Sequence, residues 1–367
     1  MDTILLWGAL AIFCALLESI GLWRYGLAVG FFITTTLLAI HYDFGTDYWS
    51  YYDWYHDSIA IPKPNSISEF IEMSRDPGWD FINIFFYKIF GRYGFFCMVG
   101  FLSIIEGICY YIFIRRSVSH RWYWLAMATY VLNHHFFILT FSMMRQSLAM
   151  ALLLICFIGI QQRKIILPTL IILLASAVHN SILLCFPLIF IPYIIGNNQR
   201  LIAIIISTAW LVFLLSSSIL EPILNHFASL TGAFSRYVEV YRDTSTMTFG
   251  IGYILKLIPF LYFLYTLFKN QFPANHLSIA TIWALTLILT PFGTIIPMFG
   301  RLLFYFDLAS LAVLPLLFSV SKSRIIQFVL VLSSLLVITV ATYTSFYDPI
   351  SPYYRPFLSF HTIFSIK

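Results

Sequence analysis

The sequence predicts an all-α, polytopic integral membrane protein with about twelve transmembrane helices, ten to fourteen being compatible with its hydropathy. Three observations carry this. Of the 367 residues, 60% are hydrophobic. Only 10% are charged, against about 25% in soluble domains. About twelve stretches approach the roughly 20 apolar residues that a helix needs to cross a bilayer. Such a composition excludes a soluble enzyme, a disordered chain and a disulfide-stapled module. Residues 1–367 read as a single polytopic membrane domain with two larger external segments, 43–93 and 219–249.

In chain order the expected spans are 4–22, 25–42, 94–114, 121–141, 146–161, 164–179, 181–196, 200–218, 250–268, 276–296, 302–320 and 325–345. The first is preceded by Asp2 and by no basic residue, so it reads as a permanent helix rather than a signal peptide. The stretch 146–161 reaches only about 24 Å at 1.5 Å per residue, enough for a thin crossing or for half of a broken element. No internal repeat is visible, which weighs against an inverted-repeat transporter. The five cysteines all lie in apolar stretches without a C-x-x-C pair, so neither a disulfide framework nor a metal site is indicated. The net charge of +5 comes from scattered residues, which argues against nucleic acid as a partner.

Charge sets the expected orientation. With Arg24 placed in the cytoplasm, the loops on that side also hold Arg115, Arg116, Arg121, Arg163, Lys164, Arg200, Lys269, Lys322 and Arg324, and no acidic residue. Short loops are where positive-inside bias is read. Of the 16 acidic residues, Glu18, Glu106 and Asp307 lie within spans and the rest fall on the opposite side. Both termini and both larger segments are then external, facing the periplasm in a Gram-negative cell. The first segment ends in D-P-G-W-D-F-I-N-I-F-F-Y-K-I-F-G, an apolar pattern that suggests an interfacial or re-entrant helix.

That outer face collects the candidate chemistry. Arg145 and Arg301 each open a span, and Arg236 and Arg242 lie in the second segment. Arginine on the outer side runs against the positive-inside bias and needs a reason. A guanidinium fork grips phosphate through paired hydrogen bonds, so an external set of arginines suits a lipid diphosphate. The plainer reading is a snorkelling or carboxylate-paired arginine, with Glu239 and Asp243 as ready partners for Arg236 and Arg242. His179, at an external span end, is either a base near neutral pH or a structural hydrogen-bond donor. His134 and His135 are adjacent and do not form a chelating i, i+4 pair. The run Tyr48, Trp49, Tyr51, Tyr52, Trp54, Tyr55 is either an interfacial aromatic belt or a platform for sugar rings. Asp47, Asp53 and Asp57 would accept sugar hydroxyls; Asp47 and Asp53, as paired acids, also raise metal-assisted transfer.

Six segments together resemble the EpsG-like family of Wzy-type polysaccharide polymerases. They are G-T-D-Y at 45–48 with Tyr51 or Tyr52 following, D-P-G-W-D-F-I-N at 76–83, R-Q-S-L-A-M-A-L at 145–152, L-A-S-A-V-H-N-S-I-L at 174–183, R-Y-V-E-V-Y at 236–241 and R-L-L-F-Y-F at 301–306. Members often carry an arginine shortly before G-T-D; here the stretch reads H-Y-D-F, and only His41 stands in its place.

The resemblance implies a glycosyltransferase of the bacterial inner membrane, multi-pass, with its active site facing outward. It would join undecaprenyl-diphosphate-linked oligosaccharide repeat units into O-antigen, capsule or exopolysaccharide, beside membrane lipid and a chain-length regulator as candidate partner. No metal and no cofactor is expected, because the lipid diphosphate is itself the leaving group. In this reading Arg145 and Arg301 hold the diphosphate and stabilise its developing charge, with Arg236 assisting. His179 activates the acceptor hydroxyl. Asp47, Tyr48, Trp49, Tyr51, Tyr52 and Asp53 position sugar. The rivals are a lipid-linked oligosaccharide flippase, an O-antigen ligase, and a metal-dependent glycosyltransferase using a polyprenyl-phosphate sugar.

Overall fold

The structure is a computed structural model that describes residues 1–57, 74, 76–215, 250–295 and 297–365. The chain is an all-α polytopic membrane protein, as its composition requires. Among the described residues, five helical runs are long and apolar enough to cross a membrane, and six shorter apolar helices accompany them. The second larger segment, 219–249, and residues 58–73 of the first lie outside the described residues.

The described residues fall into two compact units. One comprises 1–159, 164–186 and 338–367; the other comprises 160–163 and 187–337. In the first unit the helices are α1 (Asp2–Ser19), α2 (Gly26–Ile40), α3 (Tyr48–Asp57), α4 (Pro77–Phe90), α5 (Gly94–Ser117), α6 (Tyr123–Leu132), α7 (Met144–Gln161, the last two residues in the other unit) and α8 (Ile166–Val178). Helix α1 packs on α2 and α6, α2 packs on α5, and α4 lies against α5 and α8. The apolar end of the first segment is helical, as α4. It begins at Pro77, whose fixed φ and missing N–H suit a first helical position.

The only described strands are β1 (His41–Tyr42) and β2 (His361–Thr362), paired antiparallel. They tie the C-terminal tail to the chain leaving α2. Phe44 is fully buried between Phe357, Phe360 and Phe141, and the Gly45 N–H donates to the Pro356 carbonyl at 3.1 Å.

The second unit holds α9 (Ile191–Ile194), α10 (Gln199–Leu215), α11 (Ile251–Phe268), α12 (Leu277–Ile295), α13 (Pro297–Asp307), α14 (Ser310–Val320) and most of α15 (Arg324–Phe346). Helix α12 packs on α9, α10, α13 and α14 around Phe260, Phe263 and Trp283. The Gln199 side chain satisfies both backbone groups of Phe272, donating to its carbonyl at 2.7 Å and accepting from its N–H at 3.2 Å. A buried amide so paired carries little desolvation penalty.

Three expected spans are not simple helices. In 121–141, α6 stops at Leu132, turns follow, and a 3-10 turn covers Leu139–Phe141. In 302–320 the chain breaks after Asp307 and resumes at Ser310. In 181–196, Asn180–Phe190 winds as a 3-10 helix containing Pro187. A proline removes an interior N–H donor, so the regular α ladder is interrupted there. The 3-10 rise of about 2.0 Å per residue lets this short stretch reach nearly as far as a full α-helical crossing.

Candidate functional site

The site is assembled at one end of the first unit. Helix α7 opens at Met144, so Arg145 stands in its first turn. A cation there is opposed by the helix dipole, whose positive end it adjoins. Its partner is Asp76, which stands at the N-cap position of α4 without a side-chain capping hydrogen bond and forms an ion pair with Arg145 Nη1. The Asp76 side chain is 5% exposed and that of Arg145 21%. The Arg145 guanidinium also lies over the Trp54 ring, 4.5 Å from its centroid, and over Tyr51 at 5.7 Å. Trp54 is itself fixed: its Nε1–H donates to Asp80 Oδ1 at 2.8 Å, and the Ser74 hydroxyl donates to the other oxygen of Asp80. Asp80 thus orients Trp54, Trp54 supports Arg145, and Asp76 neutralises it. Arg145 Nε is buried and makes no hydrogen bond among the described residues.

The G-T-D loop clamps onto the chain just before α7. Gly45 has φ +117°, a conformation that L side chains rarely adopt. A Cβ there would also lie 3.0–3.1 Å from Ser142 and from the Phe141 carbonyl. The Thr46 and Ser142 hydroxyls are 2.6 Å apart, and the Asp47 N–H donates to Ser142 Oγ at 3.0 Å. This loop therefore sets the position of the residue three places before Arg145. The Asp47 side chain is exposed.

Helix α4 meets the end of α8 with no room to spare. A Cβ on Gly78 would come within 2.9 Å of Ala177 backbone and side chain. That contact brings D-P-G-W-D beside A-S-A-V-H. Val178 joins one buried cluster with Tyr48, Tyr51, Tyr55, Trp79, Phe95, Met144 and Leu148. His179 follows it as the half-buried C-terminal cap of α8, its N–H donating to Ala175.

The aromatic run divides by helical face. Tyr48, Tyr51 and Tyr55 recur at i, i+3 and i+7 and are buried; Trp49 and Asp53 are exposed, and Tyr52 is between. Tyr48 and Tyr51 are core residues and present no open ring face to a sugar. Burial pushes the Tyr48 phenol up, and it pushes the Tyr51 phenol up against the opposing pull of Arg145. The Tyr55 hydroxyl donates to the Gly91 carbonyl at 2.9 Å, and burial raises it to about 12. Trp49 Nε1–H donates to Asp43 at 2.6 Å, which holds the exposed ring.

His41 does not replace the arginine that precedes G-T-D. Helix α2 ends at Ile40, so His41 lies just beyond it, 3% exposed. Its Nδ1 donates to the Leu38 carbonyl at 2.5 Å, and burial lowers its pKa to about 4. It is neutral at pH 7 and offers an anion no charge.

Of the remaining candidates, Arg236 lies outside the described residues. Arg301 belongs to α13 in the second unit, and its side chain is likewise outside them. The structure brings Arg145, Asp47 and His179 into one unit with the aromatic helix α3. It adds Asp76, Trp54, Asp80 and Ser142, which the sequence reading left outside its site set. The local signal for Asp76 and Asp80 was D-P-G-W-D, with acids one turn apart, and Trp54 stood in the aromatic run; Ser142 had none.

No curated protein and no solved structure matches this chain. The EpsG family model matches residues 24–354, nearly the whole length and every motif described above. The chain belongs to the EpsG family, a Wzy-like polymerase family of membrane proteins.

Proposed function

We propose that this protein is a polysaccharide polymerase acting on undecaprenyl-diphosphate-linked oligosaccharide repeat units at the external face of the bacterial inner membrane. The observation that supports it best is that four separated family motifs pack in one region: Asp76 pairs with Arg145, the G-T-D loop bonds to Ser142 just before it, and the 174–183 segment abuts Gly78, in a chain of a Wzy-like polymerase family. Transfer from a lipid diphosphate develops negative charge on the leaving group. A guanidinium at the first turn of α7, near the N-terminus of α4, is suited to receive it. Arg301 and Arg236 complete the grip in this reading. His179 orients or activates the acceptor hydroxyl. The sugar platform narrows to the groups that face outward: Asp47, Trp49, Tyr52 and Asp53, with Tyr48 and Tyr51 as the floor beneath them. The polymer is O-antigen, capsule or exopolysaccharide, and the reaction needs no metal because the diphosphate is already activated.

The test is a gel of surface polysaccharide from a strain deleted for this gene, complemented with wild type or with Arg145→Ala at equal membrane levels. Collapse of a ladder to a single-unit band in the deletion and in the variant supports the polymerase. Absence of all surface sugar, with lipid-linked units trapped inside, indicates a flippase instead. An unchanged ladder in the deleted strain overturns both.

A further inference from the structure

The ion pair at the centre of the site has a feature that simple charge neutralisation does not require. Asp76 places a carboxylate where two sources of positive potential meet, the Arg145 guanidinium and the N-terminus of α4. That is the kind of place a phosphate would take. The carboxylate is almost fully buried, whereas Arg145 keeps about a fifth of its surface open and a buried Nε with no hydrogen bond. The cation is also held independently of Asp76, by the Trp54 and Tyr51 rings and the Asp80 bond behind Trp54. Removing Asp76 from the pair therefore leaves the guanidinium in place. Arg145 from α7 pairs with Asp76 directly. Tyr51 from α3 lies under that guanidinium, Asp80 follows one turn along α4, and Gly78, two residues on from Asp76, abuts Ala177 near the end of α8 that carries His179.

We propose that Asp76 occupies the donor diphosphate's position in the empty site, is displaced from Arg145 when the diphosphate binds, and then accepts the acceptor hydroxyl's proton as the catalytic base. This rests on the polymerase reading and adds a residue to that site. The step balances. The acceptor oxygen forms its bond to the anomeric carbon and gives its proton to a carboxylate oxygen of Asp76. The bond from the anomeric carbon to the phosphate oxygen breaks, and its electron pair stays with the lipid diphosphate beside Arg145. A carboxylate stripped of its cation and set beside a diphosphate holds a proton more strongly than one in an ion pair. Donor binding thus prepares the base, and the acceptor is not activated before a donor is present. Asp76 then passes that proton to the departing diphosphate or to solvent. The restored carboxylate returns to Arg145 and competes with the lipid diphosphate for its place, which favours release.

The experiment uses the full chain in lipid nanodiscs, with lipid-linked repeat units extracted from the polymerase-deleted strain and undecaprenyl diphosphate as the binding probe. Asp76→Asn is expected to bind undecaprenyl diphosphate as tightly as wild type or more tightly, and to lose about 100-fold or more in polymer formation, the size of a general-base contribution. Polymer formation within about threefold of wild type overturns the proposal. So does loss of probe binding together with turnover, which would make Asp76 a prop for the site. The pH profile of turnover is the second measurement, and it decides alone if Asp76→Asn does not accumulate. The same profile is taken for wild type and for His179→Gln: an acidic limb that this variant abolishes assigns the base to His179 and overturns the proposal, and a limb that persists in it supports the proposal. Wild-type protein that binds the probe but joins no repeat units sinks the polymerase reading itself, whatever Asp76→Asn does.

Discussion

Among the described residues two arginine–carboxylate pairs stand in the first unit, and they solve the same electrostatic problem differently. Glu18 and Arg115 meet at the C-terminal end of α5 at 2.7 Å. Asp76 and Arg145 meet beside the aromatic cluster that covers the other end of α5. Both arginines lie over aromatic rings, Tyr111 and Tyr123 in one case and Trp54 and Tyr51 in the other. In the first pair both oxygens of the carboxylate are used, since Glu18 also accepts the Leu27 N–H at 2.8 Å. Arg115 is 43% exposed and sits at a helix C-terminus, where the dipole favours it. In the second, the cation opposes the dipole, is less exposed, and keeps an unused donor. A pair whose carboxylate has both oxygens engaged acts as a staple between α1, α2 and α5. A pair held in an unfavourable field, with hydrogen-bonding capacity in reserve, is suited to exchange its partner.

Substitution at the two pairs separates these roles most widely. Arg145→Ala is expected to reduce polymer by about 100-fold or more at equal protein level, the scale of losing a transition-state anion donor. Arg115→Ala is expected to lower the amount of folded protein while leaving polymer per folded molecule within about threefold, as for a partly exposed ion pair. Surface-polysaccharide gels normalised to membrane protein levels read both. Equal loss per folded molecule would erase the distinction.

A smaller effect is expected at Gly45, which positions the chain ahead of Arg145. Gly45→Ala forces a side chain into a positive-φ conformation and against Ser142. The expected cost is about 1–3 kcal/mol, seen as a lowered unfolding temperature in detergent. A variant as stable as wild type would show that the loop does not need that conformation.

His41 supplies a pH-dependent contrast, because it is buried and neutral where the Arg145 site is charged. Its pKa is lowered from 6.5 to about 4 in the folded chain. Between these values the unfolded chain binds more protons, so stability falls as pH falls. The effect is absent above about pH 6.5 and complete near pH 4, with a size on the order of 3 kcal/mol. His41→Gln should flatten this part of the unfolding-temperature profile. An unchanged slope would assign it to other groups.

The smallest effects belong to the open face of α3. Trp49→Ala removes an exposed ring bonded to Asp43 and should leave unfolding temperature within about 1 °C, as surface changes generally do. If that face touches sugar, polymer output falls all the same. The opposite face behaves otherwise: Tyr51→Ala opens the buried cluster and should lower stability by about 3–5 kcal/mol, as large aromatic deletions do.

Hydropathy is a local property, and it was enough to read an all-α membrane chain and to place every described helix longer than four residues, except α3, near an expected apolar stretch. Charge bias and position at a span end also marked Arg145 and the histidine ending α8, whereas the G-T-D loop stood out only through the family resemblance. What local pattern could not supply was pairing. Asp76 finds Arg145 across 69 residues, and Asp80 fixes Trp54 across 26. His41 looked able to replace an arginine until its surroundings removed water from it. The tyrosines of α3 looked like one platform until packing buried alternate faces. Charge state, exposure and partner are set by desolvation and by contacts between distant parts of the chain. The sequence by itself therefore determined the helices and the residue types of the site, and only the tertiary structure decided which of those residues face one another.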